Sequence, residues 1–153
     1  MKLLPALLLA LLPLTAQALE TGERLAPWML LDQYDQPYTL NNQTRTLLVA
    51  RSMDAAKLVN QALEGKPEGF LESRQTVFVA DIQKMPTLIA RMFAIPKMRD
   101  YSYRVMLDRN SRVVPQYVGD EDKVLWLQLR DGHLVRRQQF STAEQLRAAL
   151  ERP

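Results

Sequence analysis

Few residues of this chain belong to the types that most often carry chemistry. Its 153 residues include no cysteine and a single histidine, His133. The absence of cysteine excludes thiol nucleophiles, disulfide exchange, cysteine-ligated zinc and iron–sulfur clusters. One histidine cannot supply a histidine pair to a metal. No glycine-rich nucleotide or phosphate motif is present, so we expect no cofactor.

Serine chemistry is the simplest remaining route to catalysis. Ser52, Asp54 and His133 are the residue types of a catalytic triad, but no Gly-x-Ser-x-Gly turn is present to expose the serine. His133 follows a predicted hairpin turn, which favours an exposed and inert side chain. A hydrolase-type or other cofactor-free enzyme using Ser52 or carboxylates therefore remains an alternative without a motif.

Residues 1–18 have the organisation of a secretory signal. A lysine is followed by the apolar run Leu3–Leu14 and by small residues at Ala16 and Ala18, where cleavage is expected. The run is shorter than the roughly 20 residues that span a bilayer, and two prolines interrupt it. We therefore predict an exported protein. An exported chain without disulfides fits the bacterial periplasm.

The mature chain is predicted to be one domain, residues 19–153. Without Lys2, nineteen basic side chains face seventeen acidic ones, so the net charge is small. No clustered basic stripe of a nucleic-acid binder is apparent. The expected partner is an unknown periplasmic protein or a small ligand, with membrane contact only during export.

The hydrophobic pattern predicts alternating strands and helices. Continuous apolar runs indicate buried strands, and an Asp-Gly pair indicates a terminal hairpin. The predicted strands are Trp28–Leu31, Tyr38–Leu40, Thr46–Ala50, Thr76–Ala80, Tyr103–Leu107, Val124–Leu129 and His133–Gln138. This order predicts an α/β fold with a mostly parallel central sheet, an antiparallel edge and helices on both faces.

Helical spacing predicts what each helix buries. Ser52 is the expected cap of the first helix, Pro86 opens a second that ends before Pro96, and Arg109–Tyr117 is a weak third. The last helix is expected to begin at Ser141 with a capping box to Glu144. The predicted inward residues are Ala55, Leu58, Val59, Ala62 and Leu63, then Leu88, Ile89, Met92 and Phe93, and finally Ala143, Leu146 and Leu150.

Two motifs carry a resemblance to a known superfamily. The segment Gly22-Glu23-Arg24-Leu25-Ala26-Pro27-Trp28-Met29-Leu30-Leu31-Asp32 resembles the "G-x-x-A-P-x-(F/W)-x-L-x-D" opening of peroxiredoxins and periplasmic thioredoxin-like proteins. The run from Val124 to Val135 is similar to their closing hairpin. The resemblance implies a thioredoxin-like three-layer α/β/α sandwich with a mixed central sheet.

The chain departs from this family where the chemistry would be. The family's redox cysteine follows the strand that matches Thr46–Ala50, but this chain has Arg51-Ser52-Met53-Asp54 there. No proline precedes the strand that begins at Val124, where the family has a cis-proline. Lys123 lies near the position of a peroxiredoxin arginine, without a cysteine to activate. The resemblance therefore implies a cysteine-free, non-catalytic member of the superfamily, without thiol–disulfide oxidoreductase or peroxidase activity.

The vacated site is the first candidate for binding. If the fold is right, the 51–54 turn and the 119–123 loop lie at the carboxyl ends of neighbouring strands, where α/β sheets bind ligands. The candidate crevice residues are Arg51, Ser52, Asp54, Asp120, Asp122 and Lys123. The acidic 120–122 loop could hold a cation such as Ca²⁺. Alternatively, it is a solvated loop, and Asp54 only complements the helix dipole.

A second candidate lies on the surface. Arg99, Tyr101, Tyr103 and Arg104 combine residue types that are favoured at interfaces. The alternative is a connection with paired surface charges and tyrosines packed at a strand edge. Together these features predict an exported, non-redox binding or protein-interaction module.

Overall fold

The computed structural model describes residues 19–152. The predicted signal peptide, residues 1–18, lies outside the described residues. Within them, no helix has both the length and the hydropathy needed to cross a membrane.

Seven strands form one mixed sheet in the order β2-β1-β5-β4-β3-β6-β7. The central strands β3, β4 and β5 are parallel, and the remaining pairs are antiparallel. The strands are β1 (Met29–Asp32), β2 (Pro37–Thr39), β3 (Thr46–Ala50), β4 (Thr76–Asp81), β5 (Met106–Asp108), β6 (Val124–Arg130) and β7 (His133–Phe140). All five residues of β3 are buried, as its continuous apolar run predicts.

One face of the sheet carries all the long helical elements. These are α1 (Met53–Ala62), the helical segment 87–98 and α4 (Ala143–Glu151). Side chains from all three pack with Leu48, Phe78 and Val124 of the sheet in one hydrophobic cluster. Helices that follow β3, β4 and β7 therefore cover this face of the sheet.

The opposite face is covered by irregular chain. Leu25 and Trp28 of the N-terminal segment pack there with Val113, Val114 and Tyr117. The Trp28 indole donates a hydrogen bond to the Tyr117 hydroxyl at 2.9 Å. The α/β class and the mixed sheet are confirmed. The expectations of a mostly parallel sheet and of helices on both faces are wrong, since four of the six strand pairs are antiparallel and this layer contains, in the described residues, only a 3₁₀ turn, Val114–Gln116.

The weak helix over Arg109–Tyr117 is reduced to that turn for a definable reason. The carboxylate of the fully buried Asp108 accepts hydrogen bonds from the backbone N–H groups of Arg112, Val113 and Val114, at 3.0, 2.8 and 2.8 Å. Ser111 has a φ of 52°. The side chain of Asp108 thus closes a loop where a helix would have used backbone carbonyls.

The cap of α1 was predicted correctly, whereas the cap of α4 was predicted one residue too early. Ser52 caps α1 as predicted, since its hydroxyl accepts the Ala55 N–H at 3.1 Å. The cap of α4 is Thr142, which accepts from Gln145 at 3.2 Å, rather than Ser141. Thr142 and Gln145 have the same capping-box spacing one residue later, so the pattern was correct and its register was wrong.

The second helix differs most from its prediction. It begins at Thr87, passes through a π turn at Ala90–Ala94 and continues as Ile95–Met98, through Pro96. Proline lacks an N–H and clashes with the carbonyl four residues earlier, and a wider turn accommodates it. The buried residues are Ala90, Ile95 and Met98, so the predicted inward residues Leu88, Ile89, Met92 and Phe93 are exposed instead.

The terminal hairpin is confirmed. Arg130 pairs with His133 across the two-residue turn Asp131-Gly132, whose φ angles are 51° and 81°. Positive φ at both positions fits the turn type that Asp-Gly favours.

Candidate functional site

The 51–54 turn and the 119–123 loop meet at one edge of the sheet. β3 ends at Ala50, and β6 runs antiparallel to it with Leu125 opposite Val49. The 119–123 loop therefore precedes a strand rather than following one, which corrects the expectation of two carboxyl ends. The two segments nevertheless lie side by side, as predicted.

Both hydrogen-bonding capacities of the Ser52 hydroxyl are used at this edge. Its oxygen accepts the Ala55 N–H, and its proton goes to the backbone carbonyl of Glu121 at 2.7 Å. The first bond caps α1, and the second fastens the 119–123 loop to the helix N-terminus. The serine is a structural link, and its hydroxyl proton is donated to a backbone carbonyl rather than to a general base.

The Arg51 side chain extends from the end of β3 to the loop that covers the second face of the sheet. Its Nη2 donates to the carbonyls of Val114, at 3.2 Å, and Tyr117. Its Nη1 is buried without a hydrogen-bond partner among the described residues. Desolvation is the main cause of a lowered pKa for this guanidinium. Arg51 thus joins the end of β3 to the loop covering the second face.

Gly119 lies directly against that guanidinium. A Cβ at this position would lie 3.0 Å from Arg51 Nη1 and 3.3 Å from the Gln139 side-chain oxygen. Because Arg51 is held by two carbonyls, we expect Gly119→Ala to lower the free energy of unfolding by about 1–2 kcal/mol. Urea unfolding measures this, with Gln43→Ala in an exposed turn as the control. An unchanged midpoint would mean that Arg51 can move aside.

The acidic loop is paired rather than assembled into a cation site. Lys123 lies 3.1 Å from Asp120, and Lys84 lies 2.6 Å from Glu121. The hydrogen bond from Lys84 is the main cause of a lowered pKa for Glu121. Across residues 19–152, no three acidic or histidine side chains converge as metal ligands. The geometry therefore gives no support to the Ca²⁺ alternative.

The six predicted crevice residues come together only in part. Arg51 and Ser52 contact the loop, and Asp120 and Lys123 pair within it. Asp54 and Asp122 are exposed, and within the described chain neither side chain makes a hydrogen bond or ion pair. The contacts at this edge are therefore mainly internal to the fold.

A groove of about 900 Å³ lies at the opposite end of the sheet, beside the hairpin of β6 and β7 and the end of α4. Its lining includes the arginines Arg45, Arg74, Arg130, Arg136 and Arg152. A smaller concavity, about 270 Å³, lies between β1 and the residues that follow β5.

The predicted arginine and tyrosine surface contributes largely to contacts within the fold, although the side chains of Arg99 and Arg104 are partly exposed. Arg104 Nε lies 2.7 Å from a carboxylate oxygen of the buried Asp32, and Arg99 Nε donates to the Gln33 carbonyl at 2.8 Å. Tyr103 is only 8% exposed, and its hydroxyl donates to Asn60 Oδ1 at 2.9 Å. Burial raises the pKa of Tyr103. The prediction that Tyr103 is a surface residue is therefore wrong. Arg99 and Arg104 stabilise the turn after β1.

Gln33 explains why the fifth strand starts later than predicted. Its buried amide donates to the carbonyls of Met98 and Tyr103, at 3.2 and 2.8 Å, and accepts the Val105 N–H at 3.0 Å. One side chain thus replaces a partner strand for residues 103–105. Tyr101 stacks on Tyr103 with ring centroids 5.0 Å apart, which covers the same corner. A lone glutamine in a polar turn gives no signal of this role in the sequence.

An apolar ridge lies on the helical segment 87–98. We define it by Leu88, Ile89, Met92 and Phe93, which are 65%, 45%, 59% and 63% exposed. Four large apolar side chains within six residues are unusual on a free surface and often mark a binding site. Sequence reasoning missed the ridge because an α-helical period assigned these residues to the core.

The topology decides which fold this is. No protein-family model matches the chain, and no curated protein matches it by sequence. Solved structures do match. Peroxidoxin BcpB from Mycobacterium tuberculosis is 16% identical, with a TM-score of 0.56 and with 86% of this chain and 94% of that chain covered. The chain has the thioredoxin-like fold.

Two further structures agree with this assignment. The thioredoxin domain of a thiol-disulfide oxidoreductase from Bacteroides vulgatus is 11% identical, covering 88% of this chain and all of that chain, with a TM-score of 0.54. A hypothetical protein from Sinorhizobium meliloti 1021 is 22% identical, covering 88% and 84%, with a TM-score of 0.58. At such identities the likeness shows the fold alone. This thioredoxin-like chain lacks the cysteine that thiol chemistry requires.

Proposed function

We propose that this chain is an exported, non-redox thioredoxin-like protein that acts by binding a partner. The apolar ridge carries the proposal, because exposed apolar surface of this density is stabilised when a partner covers it. Full burial of one large apolar side chain contributes about 1.5–3 kcal/mol, so four partly exposed ones could offset much of the cost of association.

The contacts at the vacated redox position support binding over catalysis. A serine nucleophile needs a base to take its proton, and the Ser52 proton is directed at a backbone carbonyl. The Arg51 guanidinium donates to the carbonyls of Val114 and Tyr117. The nearby acids Asp120 and Glu121 are paired with lysines. No observation favours the hydrolase-type alternative.

A capture experiment tests the binding role. The tagged mature chain is incubated with periplasmic and membrane fractions beside two variants, Met92→Ser/Phe93→Ser and Ser52→Ala. We expect the wild type and Ser52→Ala to retain the same partner and the ridge variant to lose it. Capture that depends on Ser52 instead, or that ignores the ridge, would contradict the proposal.

Two further measurements test the other parts of the proposal. A reporter enzyme active only outside the cytoplasm, fused after residue 18, is expected to be active, and an inactive fusion would argue against export. In an insulin-disulfide reduction assay the wild type is expected to match the buffer blank. Turnover above that blank would refute the non-redox assignment.

A further inference from the structure

The ridge lies in a stretch of the chain that carries only positive charge. Residues 82–99 include four cations and no Asp or Glu. Two of them are paired elsewhere, Lys84 with Glu121 and Arg99 with Asp35 at 3.9 Å. The other two, Arg91 and Lys97, are exposed and make no ion pair within residues 19–152. Of these two cations, Arg91 lies within the run of exposed apolar side chains and Lys97 follows it, while Asp81 and Asp100 bound the stretch at its two ends.

The ridge is convex. Ala90, Ile95 and Met98 hold the segment against the helix-bearing face of the sheet, so Leu88, Ile89, Met92 and Phe93 protrude on its outer side. Pro96 is exposed as well. A segment that lies along the surface with protruding apolar side chains and cations beside them has the pattern of an interfacial membrane helix.

The charges distinguish between possible occupants. A second copy docking symmetrically through the same ridge would bring Arg91 and Lys97 towards their own counterparts, and like charges oppose that contact. An anionic bilayer supplies both a negative surface and an apolar layer a few ångströms deep. We propose that the apolar ridge binds this chain peripherally to an anionic lipid surface, a proposal that rests on the proposed binding role and names its partner.

Such binding is reversible and sensitive to salt. Ionic screening weakens attraction to surface charge, while insertion of the apolar side chains persists in salt. The ridge thus differs from an anchor, and it uses only residues of the mature chain. It would keep an exported thioredoxin-like domain at the membrane surface after cleavage of its signal.

Vesicle co-sedimentation tests the proposal with the mature chain, residues 19–153, so that the apolar Leu3–Leu14 run contributes nothing. Vesicles of phosphatidylcholine alone are compared with vesicles that also contain phosphatidylglycerol. We expect binding to the anionic vesicles, a loss of at least about tenfold for Met92→Ser/Phe93→Ser, and a loss of about tenfold or more for Arg91→Gln/Lys97→Gln.

The control variant carries the same change of charge elsewhere. Arg130→Gln/Arg136→Gln removes two cations from the groove at the far end of the sheet, and we expect it to bind like the wild type. An equal loss in this variant would indicate unspecific attraction by net charge and overturn the proposal. Circular dichroism of each variant confirms that the fold is retained.

The remaining outcomes separate this proposal from the proposed function. Failure to bind anionic vesicles, with ridge-dependent capture of a protein in the extract, would refute the lipid partner and leave the binding role standing. A dimer that sediments as a monomer after Met92→Ser/Phe93→Ser would point to a second copy and also refute it. If neither vesicles nor extract respond to the ridge variant, both proposals fail.

Discussion

Replacing Asp108 with alanine is expected to lower the free energy of unfolding by about 3–5 kcal/mol. The carboxylate is fully buried and accepts three backbone N–H groups, from Arg112, Val113 and Val114. Alanine would leave all three donors without their acceptor in a place that water reaches poorly. Urea unfolding followed by circular dichroism measures the loss.

An asparagine at the same position is the matched control. Asp108→Asn keeps one carbonyl oxygen and the shape of the side chain, so we expect a loss of roughly half that of alanine. Equal stabilities of wild type and Asp108→Ala would show that water or the backbone replaces the carboxylate. The second face of the sheet would then be held mainly by the packing of Trp28 and Tyr117.

The central sheet could be predicted because its strands are specified locally. Apart from their first residues, Thr46 and Thr76, the runs Thr46–Ala50 and Thr76–Ala80 are apolar, and all ten residues are buried, as expected for strands covered on both faces. The Asp131-Gly132 turn allows positive φ at both positions and fixes the hairpin register. Each of these features is determined by residues that are adjacent in the sequence, so one sequence is enough to predict them.

The outer elements could not be predicted because single polar side chains in irregular segments decide them. The Asp108 carboxylate replaces a helix by a loop, and the Gln33 amide replaces a strand pairing at Tyr103 and Val105. Both are single polar side chains whose partners lie far along the sequence or in an irregular turn. The π turn that precedes Pro96 changes which residues of the segment face the core. A pattern read with the α-helical period of 3.6 residues therefore assigns the wrong residues to the core.

For the candidate crevice, the meeting of two segments was predicted, but their side-chain contacts were not. The resemblance placed the 51–54 turn beside the 119–123 loop, and the two are in contact through Ser52. The sequence contains no pattern that predicts the inward direction of Arg51 or the pairing of Lys84 with Glu121. Each contact depends on the conformation of a long side chain. Composition excluded thiol chemistry, and the geometry shows what occupies its place.

Cysteine at position 52 is expected to have a thiol pKa at least about one unit below the ordinary value of roughly 8.5. Residue 52 caps the N-terminus of α1, where the helix dipole and the free N–H groups stabilise an anion. The pH dependence of alkylation by iodoacetamide measures the pKa in Ser52→Cys, a chain whose native sequence has no competing thiol.

The control thiol is Gln43→Cys, in an exposed turn that precedes β3 and lies at no helix N-terminus. We expect its pKa to stay near the ordinary value, so the difference between the two thiols isolates the effect of position 52. A lowered pKa would show that the N-terminus of α1 stabilises an anion at position 52. Equal pKa values would contradict this and would mean that the hydrogen bond from residue 52 to the Glu121 carbonyl, which favours the protonated side chain, cancels that stabilisation.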